Sequence, residues 1–132
     1  MSVLPVRHIS TAIERTPEEV YAFASDPMNL PSWAAGLGSS ITEMDGAWIV
    51  ESGMGRLKLE FAARNLFGIL DHTVTLPTGE SFYNPVRVFA NGTGSEIVFA
   101  LFRVPGVTDE DFERDAAAVA RDLATLKALL ER

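Results

Sequence analysis

Residues 108–132 read TDEDFERDAAAVARDLATLKALLER and carry a pattern typical of an amphipathic helix. Apolar side chains recur there at intervals of four and three residues, which places them on one helix face. These residues are Phe112, Ala116, Val119, Leu123, Leu126 and Leu130. Thr108 is a typical N-cap, and the acidic residues that follow it suit the positive end of the helix dipole. The stretch predicts a helix of roughly 24 residues, about 36 Å long.

The rest of the chain reads mainly as short strands, and about seven strands spaced about 4.8 Å apart would make a sheet as wide as this helix is long. A helix long enough to cross a whole sheet favours a sheet that curls around it. A short coiled coil is the alternative, but the apolar stripe covers fewer than about three heptads and lacks a clear e/g charge pattern.

The composition indicates one domain over residues 1–132, because 47% of the residues are hydrophobic and this length supports a single core. No apolar run approaches the roughly 20 residues of a membrane span, and the N-terminus has no apolar signal region. We therefore expect a cytoplasmic protein. A net charge of −7 with only 11 Lys and Arg argues against a nucleic-acid partner.

The chain has no cysteine, and its two histidines are His8 and His72. The absence of cysteine excludes disulfides, thiolate metal ligands and a cysteine nucleophile. Strand alternation places His8 outside, so the histidines do not obviously converge and we expect no metal site. No dinucleotide-binding loop, Walker-type loop or nucleophile elbow occurs, and we expect no cofactor.

The N-terminal third predicts one strand followed by two short helices. Residues 6–14 alternate between apolar and polar side chains, as a half-buried strand does. The sequence TPEE at 16–19 is a strong helix start, with Thr as the cap, Pro at the first helical position and Glu three residues after the cap. Residues 30–33 predict a second helical piece, which ends before the glycine-containing segment 36–38.

Two predicted hairpins determine which side chains of the middle strands face inward. Asp45-Gly46 is a preferred two-residue turn and pairs Glu43 with Trp48. The next strand, at 57–61, alternates clearly, with its odd-numbered apolar residues inward.

The second hairpin decides which residues of its two strands face inward. The sequence LPTG at 76–79 fits a three-residue loop with Gly in the left-handed region, and this register pairs His72 with Asn84. A two-residue loop would instead place His72 opposite Pro85 and mix the two faces. We therefore expect the even-numbered residues of 70–88 to face inward.

The resulting order is a strand, two short helices, about six strands and a long helix, in the α+β class. Within it, TPEEVYAF at 16–23 follows the first strand and is itself followed by DPxNLPxW at 26–33. This arrangement resembles the helix-grip fold of the START/Bet v 1-like (SRPBCC) superfamily, in particular its bacterial polyketide cyclase/dehydrase and lipid-transport-like proteins. The resemblance implies a curved antiparallel sheet of about six to seven strands, wrapped around the C-terminal helix.

The same resemblance implies a cavity between sheet and helix that holds a small hydrophobic molecule, lipid-, polyketide- or aromatic-like. Such cavities serve binding, transport and a minority of enzymes. Twelve residues are expected to line it: Trp33, Trp48, Leu59, Phe61, Leu70, His72, Phe82, Asn84, Val86, Phe99, Ala116 and Ala120. Core packing is the alternative role of the two tryptophans, and helix propensity is the alternative reason for the two alanines.

His72 is the titratable group that strand alternation places in this cavity, opposite Asn84. The pair either orients a ligand or is a buried polar pair that satisfies itself, and the sequence leaves both readings open. As a general base His72 needs an orienting partner, and Asp71 cannot serve because adjacent strand residues point to opposite faces.

Three functions follow as alternatives. The first is a binder or carrier of a small hydrophobic molecule, and the second is a cyclase- or dehydratase-like enzyme that uses His72 as its catalytic residue. The third is an interaction module without a ligand, which requires that bulky side chains fill the interior. Outward-facing apolar residues can also support a homodimer: Phe89, Val98, Ala100 and Phe102.

Overall fold

The computed structural model describes residues 2–35, 40–53 and 55–132, and its elements follow the predicted order. The helices are α1 (Pro17–Ala24), α2 (Leu30–Trp33) and α3 (Asp109–Leu130), and a 3₁₀ turn at Pro27–Asn29 precedes α2. The strands are β1 (Val6–Ile13), β2 (Ile41–Met44), β3 (Ala47–Ser52), β4 (Gly55–Phe61), β5 (His72–Thr75), β6 (Ser81–Asn84), β7 (Val86–Asn91) and β8 (Gly94–Phe102). The predicted break at 36–38 lies outside the described residues. No helix in the described part of the chain has the length and apolar character of a membrane span.

The α+β class, the antiparallel pairing and the long C-terminal helix are confirmed, but the described strands number eight and form two sheets. Their orders are β1-β8-β7 and β2-β3-β4-β5-β6, and each pair is antiparallel. Pro85 explains the higher strand count, because it has no N–H for the ladder and separates β6 from β7. The Leu70 N–H donates to the Val86 carbonyl at 2.8 Å, and the Val88 N–H donates to the Gly68 carbonyl at 2.9 Å. These bonds join the two sheets beside Pro85.

The predicted hairpin registers are confirmed. His72 pairs with Asn84 across the second hairpin, where Gly79 has the positive φ of 94° that its turn requires. Asp45 and Gly46 have φ values of 53° and 82°, as a two-residue turn of the primed type demands. Because side chains alternate with a period of two, these registers decide which residues face the interior.

The apolar stripe of α3 faces the core. The Thr108 hydroxyl accepts from the Asp111 N–H at 3.1 Å, so the predicted cap is present. Leu123 and Leu126 are 2% and 0% exposed and belong to a buried cluster with residues of β1, β7, β8 and α1. Phe112 is buried at the opposite end of the helix.

The C-terminal end of α3 is held against the end of β1 by polar contacts. The Lys127 ammonium donates to the Ala12 carbonyl at 2.7 Å and to the Glu131 carboxylate at 2.8 Å. Glu131 in turn accepts from the Glu14 N–H at 2.8 Å. The cation at the negative end of the helix dipole therefore also fixes where the helix crosses the strand.

Asp71 lies at the junction of the two sheets and is 8% exposed. Its Oδ1 accepts from the Val86 N–H at 2.9 Å and from Arg87 Nε at 2.8 Å. Its Oδ2 accepts from Arg87 Nη2 at 2.7 Å and from the Tyr83 hydroxyl at 2.6 Å. The Arg87 guanidinium, with help from the Tyr83 and Val86 donors, lowers the pKa of Asp71 to about 2.

The segment that leads from β4 to Asp71 is a structured loop. The Asn65 side-chain oxygen accepts from the N–H groups of Phe67 and Ile69, at 2.9 and 3.1 Å. Gly68 has a φ of 71°, and a Cβ there would lie 2.1 Å from the Val88 carbonyl oxygen, so a larger residue does not fit. The loop therefore holds the residues that follow it, including Asp71, in a fixed position at the sheet junction.

Shortening a side chain on the buried face of α3 should lower the stability of the fold. Leu126→Ala should lower the free energy of unfolding by about 2–5 kcal/mol, because a fully buried side chain is replaced by a void. Arg121→Ala, on the exposed face of the same helix, should change it by less than about 0.5 kcal/mol. Urea unfolding followed by far-UV circular dichroism measures both. Equal midpoints would contradict the assignment of the buried face.

Asp71→Asn should remove about 1–2 kcal/mol of stability at pH 7, a figure reduced for the exposure of Arg87. The pKa of Asp71 is about 2 in the folded protein against 3.8 ordinarily. Its contribution is therefore complete above about pH 5 and is lost as the pH falls toward 2. The parent should lose stability more steeply than the variant across that window.

Urea midpoints at pH 3, 5 and 7 test this expectation. Glu43→Gln, which removes an exposed carboxylate on β2, is the matched control and should keep the parental pH profile. Parallel profiles of the parent and Asp71→Asn would show that Asp71 does not carry the acid sensitivity.

Candidate ligand-binding site

A cavity of about 260 Å³ lies between the inner faces of the two sheets, α2 and α3. Eight of the residues predicted to line a cavity border it: Trp33, Leu59, Phe61, Leu70, His72, Asn84, Val86 and Phe99. The register of the second hairpin and the alternation of β4 and β8 predict an inward side chain at seven of these positions, whereas Trp33 lies on α2. That these residues contact a ligand stays a prediction. The cavity is lined mainly by apolar atoms, and the polar residues on its wall are few.

Eight further lining residues were not among the predicted set: Ala24, Leu30, Ala34, Leu57, Val74, Val119, Asp122 and Leu123. Ala24 and Leu30 come from the short helices and Ala34 directly follows α2, and the sequence pattern does not define how these helices are oriented. The position of Asp122 in the sequence does indicate that it lies near the cavity. It lies three residues after Val119 and four before Leu126, so it flanks the apolar stripe of α3.

The remaining four predicted residues do not border the cavity. Trp48 packs against the buried cluster of Val50, Leu57 and Leu59 beside it, which is the core role named as its alternative. Phe82 pairs with Val74 but is half-buried further along the hairpin.

The two alanines of α3 lie outside the cavity for different reasons. Ala116 is buried but lies one helical turn away from the wall, which Val119 and Leu123 form instead. The expectation that Ala120 faces the sheet is wrong, because Ala120 is exposed. At about 100° per residue, it is rotated away from the stripe that Val119 occupies.

A second depression, of about 700 Å³, lies between α1, β7 and the loop before β5. It is larger but more open to solvent, and its wall includes charged side chains such as Glu18 and Arg64. Leu66 and Phe67 on its rim are 98% and 78% exposed. The smaller cavity has the mainly apolar lining typical of small-molecule sites.

His72 lies on the sheet wall of the cavity between two aromatic rings. Its ring centroid is 5.7 Å from that of Phe61 and 6.1 Å from that of Phe99. Its Nδ1 lies 3.3 Å from the Leu70 carbonyl oxygen, which can only accept, so Nδ1 carries the proton of this bond. Nε2 is then an acceptor, and its contact is the Asn84 amide nitrogen at the long distance of 3.4 Å.

Burial lowers the pKa of His72 below its ordinary value, although the Leu70 carbonyl and Asp71 act in the opposite direction. The neutral imidazole is therefore the dominant form at pH 7. Asp71 makes its own hydrogen bonds to Val86, Arg87 and Tyr83, so it does not orient the imidazole, as strand alternation predicted.

The α2 end of the cavity carries two further polar groups. Trp33 Nε1 is buried and has no hydrogen-bond partner among the described residues. Asp122 on α3 accepts from the Ala35 N–H at 3.2 Å and borders the cavity. Burial raises the pKa of Asp122, while the Ala35 N–H opposes this rise.

No family model matches the sequence, and no curated protein does either. Solved structures do match over nearly the whole chain. The Aha1 dimer from Colwellia psychrerythraea aligns with a TM-score of 0.76 at 14% identity, over 97% of this chain and 97% of its own. Ara h 8.0201 aligns with a TM-score of 0.73 at 17% identity, over 97% of this chain and 98% of its own.

DynU16, a protein of the dynemicin biosynthetic locus, aligns with a TM-score of 0.73 at 14% identity. The alignment covers 96% of this chain but 47% of DynU16, so the chain spans about half of that protein. The chain has the START/Bet v 1-like fold. The predicted resemblance is thus confirmed for the fold.

Titration of His72 should reflect its burial. Its NMR midpoint should lie below the ordinary value of about 6.5, and the neutral form should carry its proton on Nδ1. Because the unfolded chain takes up this proton more readily, His72 should also reduce stability as the pH falls below about 6.5. Nitrogen-15 shifts of the ring identify both the midpoint and the tautomer. A midpoint above 6.5, or an Nε2–H tautomer, would contradict the contacts described here.

Proposed function

We propose that this protein binds or carries a small hydrophobic molecule in the cavity between its two sheets, α2 and α3. The observation that carries the proposal is the mainly apolar cavity of about 260 Å³ with the His72–Asn84 pair on its wall. Ligand sites usually combine an apolar lining with a few polar groups that fix orientation. The space is also an argument against the ligand-free interaction module, which requires a filled interior.

The size of the cavity favours a compact ligand. Its volume of about 260 Å³ lies just below the roughly 300–1,000 Å³ that small-molecule sites span. A molecule with one or two rings, or one short chain, suits this space better than a lipid with two acyl chains. That DynU16 belongs to a biosynthetic locus supports an aromatic or polyketide-like ligand over a membrane lipid.

The enzymatic alternative, a cyclase- or dehydratase-like reaction with His72 as the base, has weaker support. The lowered pKa of His72 makes its imidazole a weaker base than usual. A backbone carbonyl rather than a carboxylate accepts from Nδ1, so the imidazolium that proton transfer creates has little stabilisation. The neutral Nε2 is better suited to accept a hydrogen bond from a ligand.

A homodimer is a separate proposal, and it rests on the outer face of the three-stranded sheet. Phe89 is 51% exposed there, and Val98, Ala100 and Phe102 are half-buried on the same face. The solution structure of the Aha1 neighbour is a dimer. Because most of this apolar surface is already partly covered, the dimer proposal has less support than the ligand proposal.

Blocking the cavity tests the proposed function. Val119→Phe adds a phenyl ring to the cavity wall from a position that is half-buried on α3. It should weaken binding of the neutral fluorescent probe N-phenyl-1-naphthylamine at least about tenfold, because the space that the probe needs is occupied. Ala120→Phe, the next residue on the same helix, is exposed and is the matched control.

Fluorescence titration of the parent and both variants gives the comparison, with circular dichroism as the check on folding. The control should bind like the parent. Equal affinity of Val119→Phe and the parent, both folded, would place any binding elsewhere and reject this cavity as the site.

A further inference from the structure

Asp122 is the acidic side chain among the described residues that border the cavity, and the proposed function gives it no role. It is half-buried on α3, and its Oδ1 accepts from the Ala35 N–H at 3.2 Å. The part of the chain that the structure describes gives Asp122 no ion-pair partner. The cavity wall therefore carries a carboxylate whose charge no described side chain pairs.

The charged groups near Asp122 do not place a cation on the cavity wall. None of the described lining residues is a lysine or an arginine. Arg121, the next residue of α3, acts on Asp122 through its charge, but it is exposed and does not border the cavity. On the sheet side, burial lowers the pKa of His72, so its imidazole is neutral at pH 7. A cation that enters the cavity is therefore attracted by Asp122 and meets no fixed positive charge on the described wall.

The desolvation of Asp122 favours a cationic partner. Burial raises the pKa of Asp122, because the surroundings disfavour its charged form. An ammonium group beside the carboxylate acts in the opposite direction and stabilises that form. An anionic ligand would instead place a second negative charge beside a carboxylate that is already poorly solvated. The electrostatics favour a cation over a neutral molecule, and a neutral molecule over an anion.

The rest of the wall suits a ring system that carries such a cation. Trp33, Phe61 and Phe99 border the same cavity, and aromatic side chains pack against apolar rings and attract cations that lie over their faces. Bringing an ammonium group to an apolar cavity costs hydration. Because Asp122 is only half-buried, an ammonium group paired with it keeps part of its water, which reduces that cost.

We propose that the cavity selects a small amphiphilic amine, whose apolar ring body lies in the cavity and whose protonated amino group pairs with the Asp122 carboxylate. Asp122 is then the residue that determines the charge of the preferred ligand. The inference rests on the proposed function, since it names the ligand class of the same cavity.

The contrary interpretation is that Asp122 only ties the residues after α2 to α3 through the Ala35 N–H. The side-chain oxygen of an asparagine accepts the same hydrogen bond, so Asp122→Asn keeps this tie and removes the charge. If the tie is the whole role of Asp122, the substitution leaves the preference among ligands of different charge unchanged.

Three ligands with one ring system and different charges separate the two interpretations. They are 1-naphthylmethylamine, which is protonated at pH 7, 1-naphthalenemethanol and 1-naphthoate, and isothermal titration calorimetry at pH 7 measures each. For the parent, the amine should bind about 3- to 10-fold more tightly than the alcohol, the net effect of one charge-assisted hydrogen bond after desolvation of the ammonium group. The naphthoate should bind more weakly than the alcohol.

Two variants assign this preference to its residue. Asp122→Asn should bring the ratio of amine to alcohol affinity down to about one. Asp115→Asn makes the same substitution seven residues earlier on α3, at an exposed position that does not border the cavity. This control should keep the parental ratio.

A measurement on the unaltered protein guards against a variant that does not fold. Because the Ala35 N–H donates to the Asp122 carboxylate, its signal in the proton–nitrogen spectrum reports on that group. The amine should shift the Ala35 signal more than the alcohol does. The Val86 N–H donates to the Asp71 carboxylate, which does not border the cavity, and its signal should respond equally to both ligands.

The outcomes separate the ligand class from the proposed function. If the alcohol binds as tightly as the amine and the Ala35 signal does not distinguish them, the ligand-class inference fails and the proposed function stands. A preference for the amine that persists in folded Asp122→Asn, or binding of 1-naphthoate as tight as that of the amine, would also overturn the inference. If the parent binds none of the three ligands and no N-phenyl-1-naphthylamine, the proposed function fails as well.

Discussion

The hydrogen bonds of the Asp71 carboxylate are the constraint on which the arrangement of the two sheets depends. Pro85 interrupts the strand ladder at the junction, and the neighbouring Val86 N–H finds its acceptor in Asp71 at 2.9 Å. The same carboxylate engages Arg87 and Tyr83 on the outer surface. Because strand neighbours alternate in direction, an outward Asp71 requires an inward His72. The hydrogen bonds of Asp71 on the outer face thus determine that the imidazole of His72 lies on the inner face.

The cavity exists because the interior contains two buried clusters rather than one. The first joins α1, α3, β1, β7 and β8, and the second joins α2, β3 and β4. Trp33 packs against both, and the cavity is bordered by members of each, such as Leu123 of the first and Leu59 of the second. The α3 stripe fills the first cluster, whereas α2 is one turn long and covers the second only partly. The space between them is what remains where the inner faces of the two sheets are covered by one long and one very short helix.

The sequence predicts those parts of the structure that depend on residues close together in the chain. The stripe of α3 and the hairpin register of His72 follow from periodicity and turn chemistry, which a single sequence displays. The rotation of α2 and the exposure of Ala120 depend instead on how helices sit on the sheet, and alanine fits either environment. Asp122 was missed because charged residues beside an apolar stripe are normally solvated. That the Trp33 N–H finds no acceptor in the described part of the chain is a result of three-dimensional packing, which the local sequence does not encode.

The polar groups around the cavity are less well satisfied by hydrogen bonds than the buried polar groups in the rest of the described chain. Elsewhere the caps, turns and strand registers agree with the local sequence, and buried polar groups such as Asp71 have partners. At the cavity, the His72 imidazole has a long contact to Asn84 and the Asp122 carboxyl group is desolvated. The buried indole N–H of Trp33 has no acceptor among the residues that the structure describes. Departures from local consistency concentrate at functional sites, because stability is given up there for groups that a ligand completes. His72 and Asp122 both border one small apolar space, and Trp33 lies beside them on its wall. This clustering is the reason that the proposed function is assigned to this space and not to the larger open depression beside α1.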